Sequence, residues 1–351
     1  MESSPSPPIF IGTYTKTGSR GIYATRLDSA GALSAPALAG EASNPTFLAL
    51  SPGRKNLYAV RDSPAMAAAY AVDPAAGLLR PLAPVDPPAG PGPCHAAVDR
   101  SGRALILTNF HTGIVAALPI RAEGTLGAPR TLLHAGRGPH PTRQASAHPH
   151  SSTIAPDNRF ALVCDLGLDR IFTYRLDPER AALAPAATPF AAAVPGSGPR
   201  HAVFGPDGRR VYVINEIANT IALYDYDDAG GALAPGPVVS TLPADFSGES
   251  SAAEIALHPN GRFIYGSNRG HDSLALFSVD RATGALALLE CVPCGGRGPR
   301  SFALSPDGAW LVCAHQNSDS LSAFRVDGAT GRLTRTGDAV GPPAPVCVGF
   351  A

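Results

Sequence analysis

The sequence lacks a charge excess, a long apolar run and a basic leader. Lys and Arg together number 28, as do Asp and Glu, so the formal net charge is zero. A nucleic acid or an anionic membrane held by bulk charge is therefore not an expected partner. No apolar stretch is long enough to cross a membrane, and the first residues show no basic segment followed by an apolar one. We expect a cytoplasmic protein with a small-molecule partner.

Cysteine is also scarce, with six residues scattered over 351 positions. Without a secretion signal these are expected to be reduced thiols rather than a disulfide framework. Cys291 and Cys294 form a CxxC motif, but no second pair stands at zinc-finger spacing. We therefore expect no metal and no other cofactor, and the sequence leaves the role of this cysteine pair open.

Several motifs of hydrolytic enzymes are missing. The chain contains no GxSxG nucleophile elbow, no HExxH zinc motif and no Gly-rich phosphate loop. Any hydrolysis is then expected to use water directly rather than a covalent serine nucleophile.

Turn-forming residues are abundant, since Gly and Pro number 37 and 36, which favours many short strands. The stretch "GPRHAVFGPDGRRVYVINE" (198–216) is one of six similar copies, each with two apolar strands around a tight turn. The turns open at Pro52, Arg100, Pro156, Pro206, Pro259 and Pro306, a period near 50 residues. A second strand pair follows each copy. Four strands at this period are typical of a β-propeller blade.

The two chain ends complete the pattern. Residues 9–15 and 21–38 resemble the second to fourth strands of a repeat, and residues 344–350 resemble a lone first strand. Joined, they make a seventh blade without exposed sheet edges. The prediction is an all-β, seven-bladed propeller of four-stranded antiparallel blades, closed by the C-terminal strand joining the N-terminal blade. Residues 1–351 are expected to form one domain, with 1–8 as a flexible tail.

Each predicted hairpin carries polar residues at both outer ends, beside the channel axis. The hairpin geometry places all of these residues at one end of the central channel, called the mouth below, which is the usual ligand site of such a ring. They are Asn44, Asp62, His95, Asn109, His148, His150, Asp165, Arg200, His201, Glu216, Glu254, Arg269, Arg300 and Gln316.

These motifs, in this order, resemble those of the seven-bladed β-propeller lactonase family. The most specific are "GPRH…NE" at 198–216 and "AAEI…NRGHDS" at 252–273. The resemblance implies the propeller fold and lactone hydrolysis, above all the 6-phosphogluconolactonase activity of the pentose phosphate pathway. It also implies catalytic residues His150, Arg200, Glu216 and Arg269. His95, His148, His201, Glu254 and Arg300 are expected to bind substrate.

The predicted chemistry is base-assisted attack of water on an anionic lactone. The base is either His150 or Glu216, and Arg200 and Arg269 hold the substrate's anionic oxygens from two sides. Phosphate is expected to be bound by Arg and His, because the only lysines, Lys16 and Lys55, are not expected at the mouth.

Other functions stay open at this point. The same residues suit a cycloisomerase that forms a lactone from an unsaturated dicarboxylate such as a muconate, and a propeller can also be a non-enzymatic binding platform. A metal-dependent lactonase is disfavoured because two arginines at the site repel a cation. The expected assembly is a monomer or a weak homodimer.

Overall fold

The structure is a computed structural model that describes residues 6–61, 67–82 and 93–351. These residues form seven four-stranded antiparallel sheets. The first strands of the sheets pack against one another in a closed ring around a central channel. The predicted seven-bladed propeller is confirmed.

The strands of the seven blades are the following. The innermost are β28 (Pro345–Phe350), β4 (Leu48–Leu50), β8 (Pro93–Val98), β12 (Pro149–Ile154), β16 (Pro199–Phe204), β20 (Ser251–Leu257) and β24 (Pro299–Leu304). The second are β1 (Ile9–Thr13), β5 (Asn56–Val60), β9 (Ala104–Asn109), β13 (Phe160–Asp165), β17 (Arg210–Asn215), β21 (Phe263–Arg269) and β25 (Trp310–His315). The third are β2 (Gly21–Thr25), β6 (Ala67–Asp73), β10 (Ile114–Pro119), β14 (Arg170–Asp177), β18 (Thr220–Tyr226), β22 (Ser273–Val279) and β26 (Ser320–Val326). The outermost are β3 (Ala37–Glu41), β7 (Leu78–Pro81), β11 (Arg130–Leu133), β15 (Ala182–Ala192), β19 (Leu233–Ser240), β23 (Leu286–Pro293) and β27 (Leu333–Val340).

Blades 1 to 7 are numbered in this order, so that blade 1 contains both chain ends. In blade 1, β28 pairs antiparallel with β1, with Ile9 opposite Phe350. The carbonyl of Pro8 accepts a hydrogen bond from the backbone N–H of Ala351 at 3.0 Å. The C-terminal strand therefore closes the ring, as predicted. Residues 1–5 of the expected tail lie outside the described residues.

Helix is almost absent from the part of the chain that the structure describes. It is confined there to a 3-10 turn at Thr15–Thr17, and no helix is long and apolar enough to cross a membrane. All six cysteines are free thiols.

The predicted hairpin turns owe their shape to Asp and Gly. Between β16 and β17, Gly208 has φ 68, a left-handed conformation that glycine adopts without steric cost. The Asp207 carboxylate accepts the backbone N–H of Arg209 at 3.0 Å and so fixes the turn locally.

Buried tyrosines hold neighbouring blades together. Tyr58, Tyr212 and Tyr265 occupy similar places on second strands and are fully buried. Each hydroxyl donates to a glycine carbonyl in the turn between the third and fourth strands of the next blade. For Tyr212 the acceptor is Gly284, at 2.9 Å. The apolar rings fill the core between blades while their polar ends stay bonded, so the seven inner strands keep fixed positions around the channel.

Candidate active site

A cavity of about 650 Å³ opens at one end of the channel and takes residues from all seven blades. Four of its side chains are cationic and one is a carboxylate, so the cavity favours an anionic ligand. The lining residues are Tyr14, Lys16, Asn44, Thr46, Pro93, Cys94, Phe110, His111, Arg143, His150, Glu216, Arg269 and Arg300.

A bulge at the start of several inner strands aims side chains at the channel. The pairing register shifts between Pro93 and His95, Pro149 and Ser151, Pro199 and His201, and Pro299 and Ser301. Proline cannot donate to the ladder, so it stands at the first residue of each strand, and the residue after it is left unpaired. These unpaired residues are Cys94, His150, Arg200 and Arg300.

Glu216 directly follows β17 and is the centre of a buried ion-pair cluster. Its Oε2 accepts a hydrogen bond from Arg200 Nε at 2.9 Å and forms a salt bridge with Arg269 Nη2 at 2.9 Å. Its Oε1 accepts from Arg143 Nη2. Burial opposes ionisation, but the positive charges of Arg269, Arg200 and Arg143 prevail and lower the pKa of Glu216 to about 2. Glu216 is thus a fixed anion with both oxygens occupied.

Arg200 and Arg269 do not form the open clamp that the sequence suggested. The Arg200 side chain is only 3% exposed and also donates to the Ala253 carbonyl; burial lowers its pKa to about 10. Arg269 Nη2 donates to the Ala252 carbonyl at 3.0 Å as well. Both arginines are held in place by Glu216 and the backbone, and of the two only Arg269 lines the cavity.

The His150 ring packs edge-on against Phe110 and His201, and among the described residues it forms no ion pair. It is buried and lines the cavity, and its Nδ1 bonds to none of the described residues. Desolvation, followed by the charges of Arg200, His201 and Arg300, lowers its pKa well below 6.5. The imidazole is therefore neutral at pH 7 and has a lone pair available to accept a proton.

His95, His201 and Glu254 do not line the cavity but form a buried layer beside it. His201 Nδ1 donates to Glu254 Oε1 at 2.6 Å, while its Nε2 lies 3.3 Å from the donor Nη1 of Arg200. The His201 ring packs edge-on against the rings of His95 and His150, and in each of the two pairs the ring centroids are 5.2 Å apart. Because both ring nitrogens of His201 are hydrogen-bonded, this ring has a fixed position and packs against His150 on the side away from the cavity.

His148 also lies outside the lining. Its ring stacks on Phe110 at 4.2 Å, and Nδ1 donates to the Phe110 carbonyl at 2.6 Å. Asp165 accepts the His148 backbone N–H at 2.8 Å and is itself bonded to His134 at 2.7 Å. These contacts fix Phe110, which forms one wall of the cavity beside His150.

The expectation that neither lysine is near the mouth is wrong for Lys16, which lines the cavity. Lys16 lies in the 3-10 turn after β1, two residues after Tyr14, whose ring contacts Arg300 of blade 7 (β24–β27). Sequence reasoning also missed Arg143, on the connection between β11 and β12. The segment "RQASAHPHSS" (143–152) contains it but gave no sign that it reaches Glu216. Asp62 lies outside the described residues.

A metal site is not apparent in the described ranges, where no group of three or more His, Cys, Asp or Glu side chains is arranged to hold an ion.

Comparison with known proteins agrees with this geometry. Residues 8–350 match the family model described as "Lactonase, 7-bladed beta-propeller". The chain is 37% identical over 347 residues to a 6-phosphogluconolactonase of Bacillus subtilis, covering 97% of each chain. It is 32% identical over 273 residues to a 6-phosphogluconolactonase of Formosa agariphila, covering 74% of each.

Solved structures are similar over the whole ring. A periplasmic gluconolactonase of Pseudomonas aeruginosa superposes with a TM-score of 0.90 at 33% identity, covering 98% of this chain and 99% of that one. A putative 6-phosphogluconolactonase of Bacteroides fragilis gives a TM-score of 0.90 at 30% identity, covering 100% and 99%.

Proposed function

Because the chain belongs to the seven-bladed β-propeller lactonase family, we propose that it is a lactone hydrolase whose substrate is 6-phosphogluconolactone. The relatives with that name and the gluconolactonase structure support hydrolysis of a sugar lactone. The excess of cationic side chains around the cavity supports the anionic, phosphorylated form.

His150 is the general base in this proposal. The observation that carries it is the contrast with Glu216, whose two oxygens are bonded to arginines and whose pKa is about 2. His150 is neutral, lines the cavity and has a nitrogen without a partner among the described residues. Nδ1 is buried from solvent, so we assign the role of base to Nε2. Glu216 is the weaker candidate because both of its oxygens are bonded to arginines.

The reaction then runs in two proton transfers. Water attacks the lactone carbonyl carbon while His150 removes one proton, and negative charge develops on the carbonyl oxygen. When the ring C–O bond breaks, the imidazolium returns the proton to the leaving oxygen. The product is the open-chain hydroxy acid, and His150 is neutral again.

Arg143 and Arg269 are proposed to stabilise the developing oxyanion. Both line the cavity, and Glu216 holds them there through its two oxygens. Arg143 is 41% exposed, so its remaining N–H groups are free to donate to a ligand. Preorganised donors of this kind act without reorganisation during the reaction. Arg200 does not line the cavity and holds Glu216 in place through the hydrogen bond from Nε to Oε2.

The direct test is a hydrolysis assay on 6-phosphogluconolactone, unphosphorylated gluconolactone and a muconate lactone, each corrected for spontaneous ring opening. We expect the protein to accelerate the hydrolysis of 6-phosphogluconolactone more than that of the other two lactones. The His150→Gln variant should lose this activity. Absence of acceleration on both sugar lactones would contradict the proposal, and preference for the muconate lactone would favour the cycloisomerase.

A cytoplasmic location and a monomeric or weakly dimeric state are also proposals. Six free thiols suit a reducing compartment, although one structural relative is described as periplasmic. Cell fractionation tests the location, and sedimentation tests the assembly.

A further inference from the structure

The cationic side chains of the cavity fall into two groups. Arg143 and Arg269 are ion-paired with Glu216. Lys16 and Arg300 form no salt bridge with any of the described residues. The charge of the first group is largely compensated by Glu216, although N–H groups of Arg143 stay free for the oxyanion. The second group has no carboxylate paired with it in the described ranges, so its charge is available to a second anionic group of the ligand.

Lys16 and Arg300 line the cavity from the adjacent blades 1 and 7. Arg300 is the unpaired residue at the bulge of β24, and its guanidinium carbon lies 5.7 Å from the ring centroid of Tyr14. Tyr14 is two residues before Lys16, and all three line the same cavity. A cation–π contact with an aromatic ring favours this position of the guanidinium and uses none of its N–H groups, which stay free for a ligand.

The turn that carries Lys16 is anchored to its surroundings. Asn44 Oδ1 accepts the backbone N–H of Thr15 at 2.7 Å, and the Tyr14 N–H donates to the Ala344 carbonyl at 3.0 Å. Asn44 itself has φ 45, in the left-handed region that asparagine tolerates. Lys16 therefore extends from a fixed backbone, although its own side chain is exposed.

The group also lies opposite the proposed base. His150 is on blade 4 (β12–β15), and the ring order separates blade 4 from blade 1 and from blade 7 by three steps each. A phosphorylated sugar lactone carries its phosphate on the exocyclic carbon, away from the carbonyl that water attacks. A ligand spanning the cavity can thus present its carbonyl at His150 and its phosphate at Lys16 and Arg300.

On these grounds we propose that Lys16 and Arg300, with the Tyr14 ring in cation–π contact with the guanidinium, form the binding site for the phosphate group of the substrate. Lysine supplies a point charge and arginine two parallel donors, a combination that suits a phosphate dianion. The inference rests on the proposed function for the identity of the substrate and deepens it by assigning the two ends of the cavity.

The test compares Lys16→Met and Arg300→Gln on 6-phosphogluconolactone and unphosphorylated gluconolactone. Each variant should lower the ratio of kcat/KM for the phosphorylated over the unphosphorylated lactone by about 10- to 100-fold, the worth of a charge-assisted hydrogen bond. The loss should appear mainly as a higher KM.

The chain offers matched controls. Lys55→Met removes the other lysine, which is exposed in the turn between β4 and β5. Arg297→Gln removes an exposed arginine just before β24 that does not line the cavity. Both should keep the parent's ratio. Ratios in Lys16→Met and Arg300→Gln equal to those of the controls, with parent-like melting temperatures, would overturn the proposed phosphate site.

Calorimetry with inorganic phosphate separates this inference from the proposed function. Wild-type protein should bind phosphate, and Arg300→Gln should weaken that binding by about 10-fold or more. If wild-type protein hydrolyses neither sugar lactone but phosphate binding is lost in Arg300→Gln, the proposed function fails while the anion site stands. Phosphate binding that is equally strong in both variants and both controls overturns the site whatever the activity.

Discussion

Arg200 Nε donates to Glu216 Oε2 at 2.9 Å, with both side chains buried. The two residues stand at opposite ends of one hairpin in sequence and meet at the channel because β16 and β17 are paired there. Arg269 and Arg143 complete the cluster around the same carboxylate. A carboxylate surrounded by arginines holds their guanidinium groups in place and is poorly suited to removing a proton. Glu216 therefore positions the arginines, and the role of base is left to His150.

Glu216→Gln should destabilise the fold strongly. It removes the single negative charge that compensates Arg143, Arg200 and Arg269, and breaking a buried ion pair from one side costs about 3–5 kcal/mol. Urea unfolding measures the effect, with Glu41→Gln as a control because Glu41 forms an exposed pair with Arg20. Parent-like stability in Glu216→Gln would contradict this role of the carboxylate in the fold.

His150→Gln should lower kcat by about 10²- to 10⁴-fold, the usual contribution of a general base, while the melting temperature stays close to the parent's. His271→Gln is the control, since His271 does not line the cavity and bonds only to Ser273 through Nδ1 among the described residues. A His150 variant with parent-like kcat on every lactone would place the base elsewhere.

The pH profile of kcat/KM should stay flat from pH 7 to below 6.5 and then fall on the acid side. Desolvation and then Arg200, His201 and Arg300 lower the pKa of His150 well below 6.5, so the imidazole stays neutral, and able to accept a proton, under mildly acidic conditions. Arg300→Gln removes one of these charges and should move the acid limb to higher pH. An acid limb near pH 6.5 in both proteins would contradict this environment for His150.

Stability should decline as the pH falls through two windows. The folded-state pKa of His150 lies below the 6.5 of an unfolded chain, so unfolded protein binds the proton first and the fold loses stability as the pH drops below 6.5. The pKa of Glu216 falls from 4.5 to about 2, so its contribution is complete above pH 4.5 and is lost towards pH 2. Thermal melts across this range measure both. His150→Gln should reduce the dependence in the upper window, while the remainder comes from His95, His201 and His315, whose pKa values burial also lowers.

Arg143→Gln should reduce kcat more than it reduces stability. Arg143 is partly exposed on a connecting segment, so its ion pair adds little to folding, whereas loss of an oxyanion donor typically costs about 10²- to 10³-fold in kcat. Arg137→Gln, an exposed arginine of the same segment that does not line the cavity, should behave like the parent. Equal kcat in the two variants would remove Arg143 from the proposed mechanism.

Deletion of residues 344–351 should open the ring. It removes β28 and leaves β1 as an unpaired inner edge, a template for aggregation. We expect a large loss of solubility and a lower melting temperature. Gly349→Ala is a mild change in the same strand, because an added methyl group meets no atom within 4 Å, and should melt like the parent. A truncated protein that melts like the full chain would contradict closure by this strand.

The sequence by itself determined the architecture. Period, turn residues and strand pattern are local properties, and they are sufficient to predict seven blades with shared termini. The same periodicity placed His150, Glu216, Arg269 and Arg300 at one end of the channel, where all four line the cavity. The proline that opens an inner strand is a further local signal, since it marks the next residue as the one at the bulge.

Only the tertiary structure decided which charges are paired. Arg200 and Arg269 match the family pattern in sequence, but their commitment to Glu216 depends on distances between adjacent blades. Arg143 reaches Glu216 of blade 5 (β16–β19) from the connection between β11 and β12, whose path no repeat dictates. Lys16 lines the cavity from the turn after β1, where the neighbouring Tyr14 contacts Arg300 of the last blade. Periodicity fixes where a strand ends, whereas the partner of a long charged side chain is set by packing between segments distant in sequence.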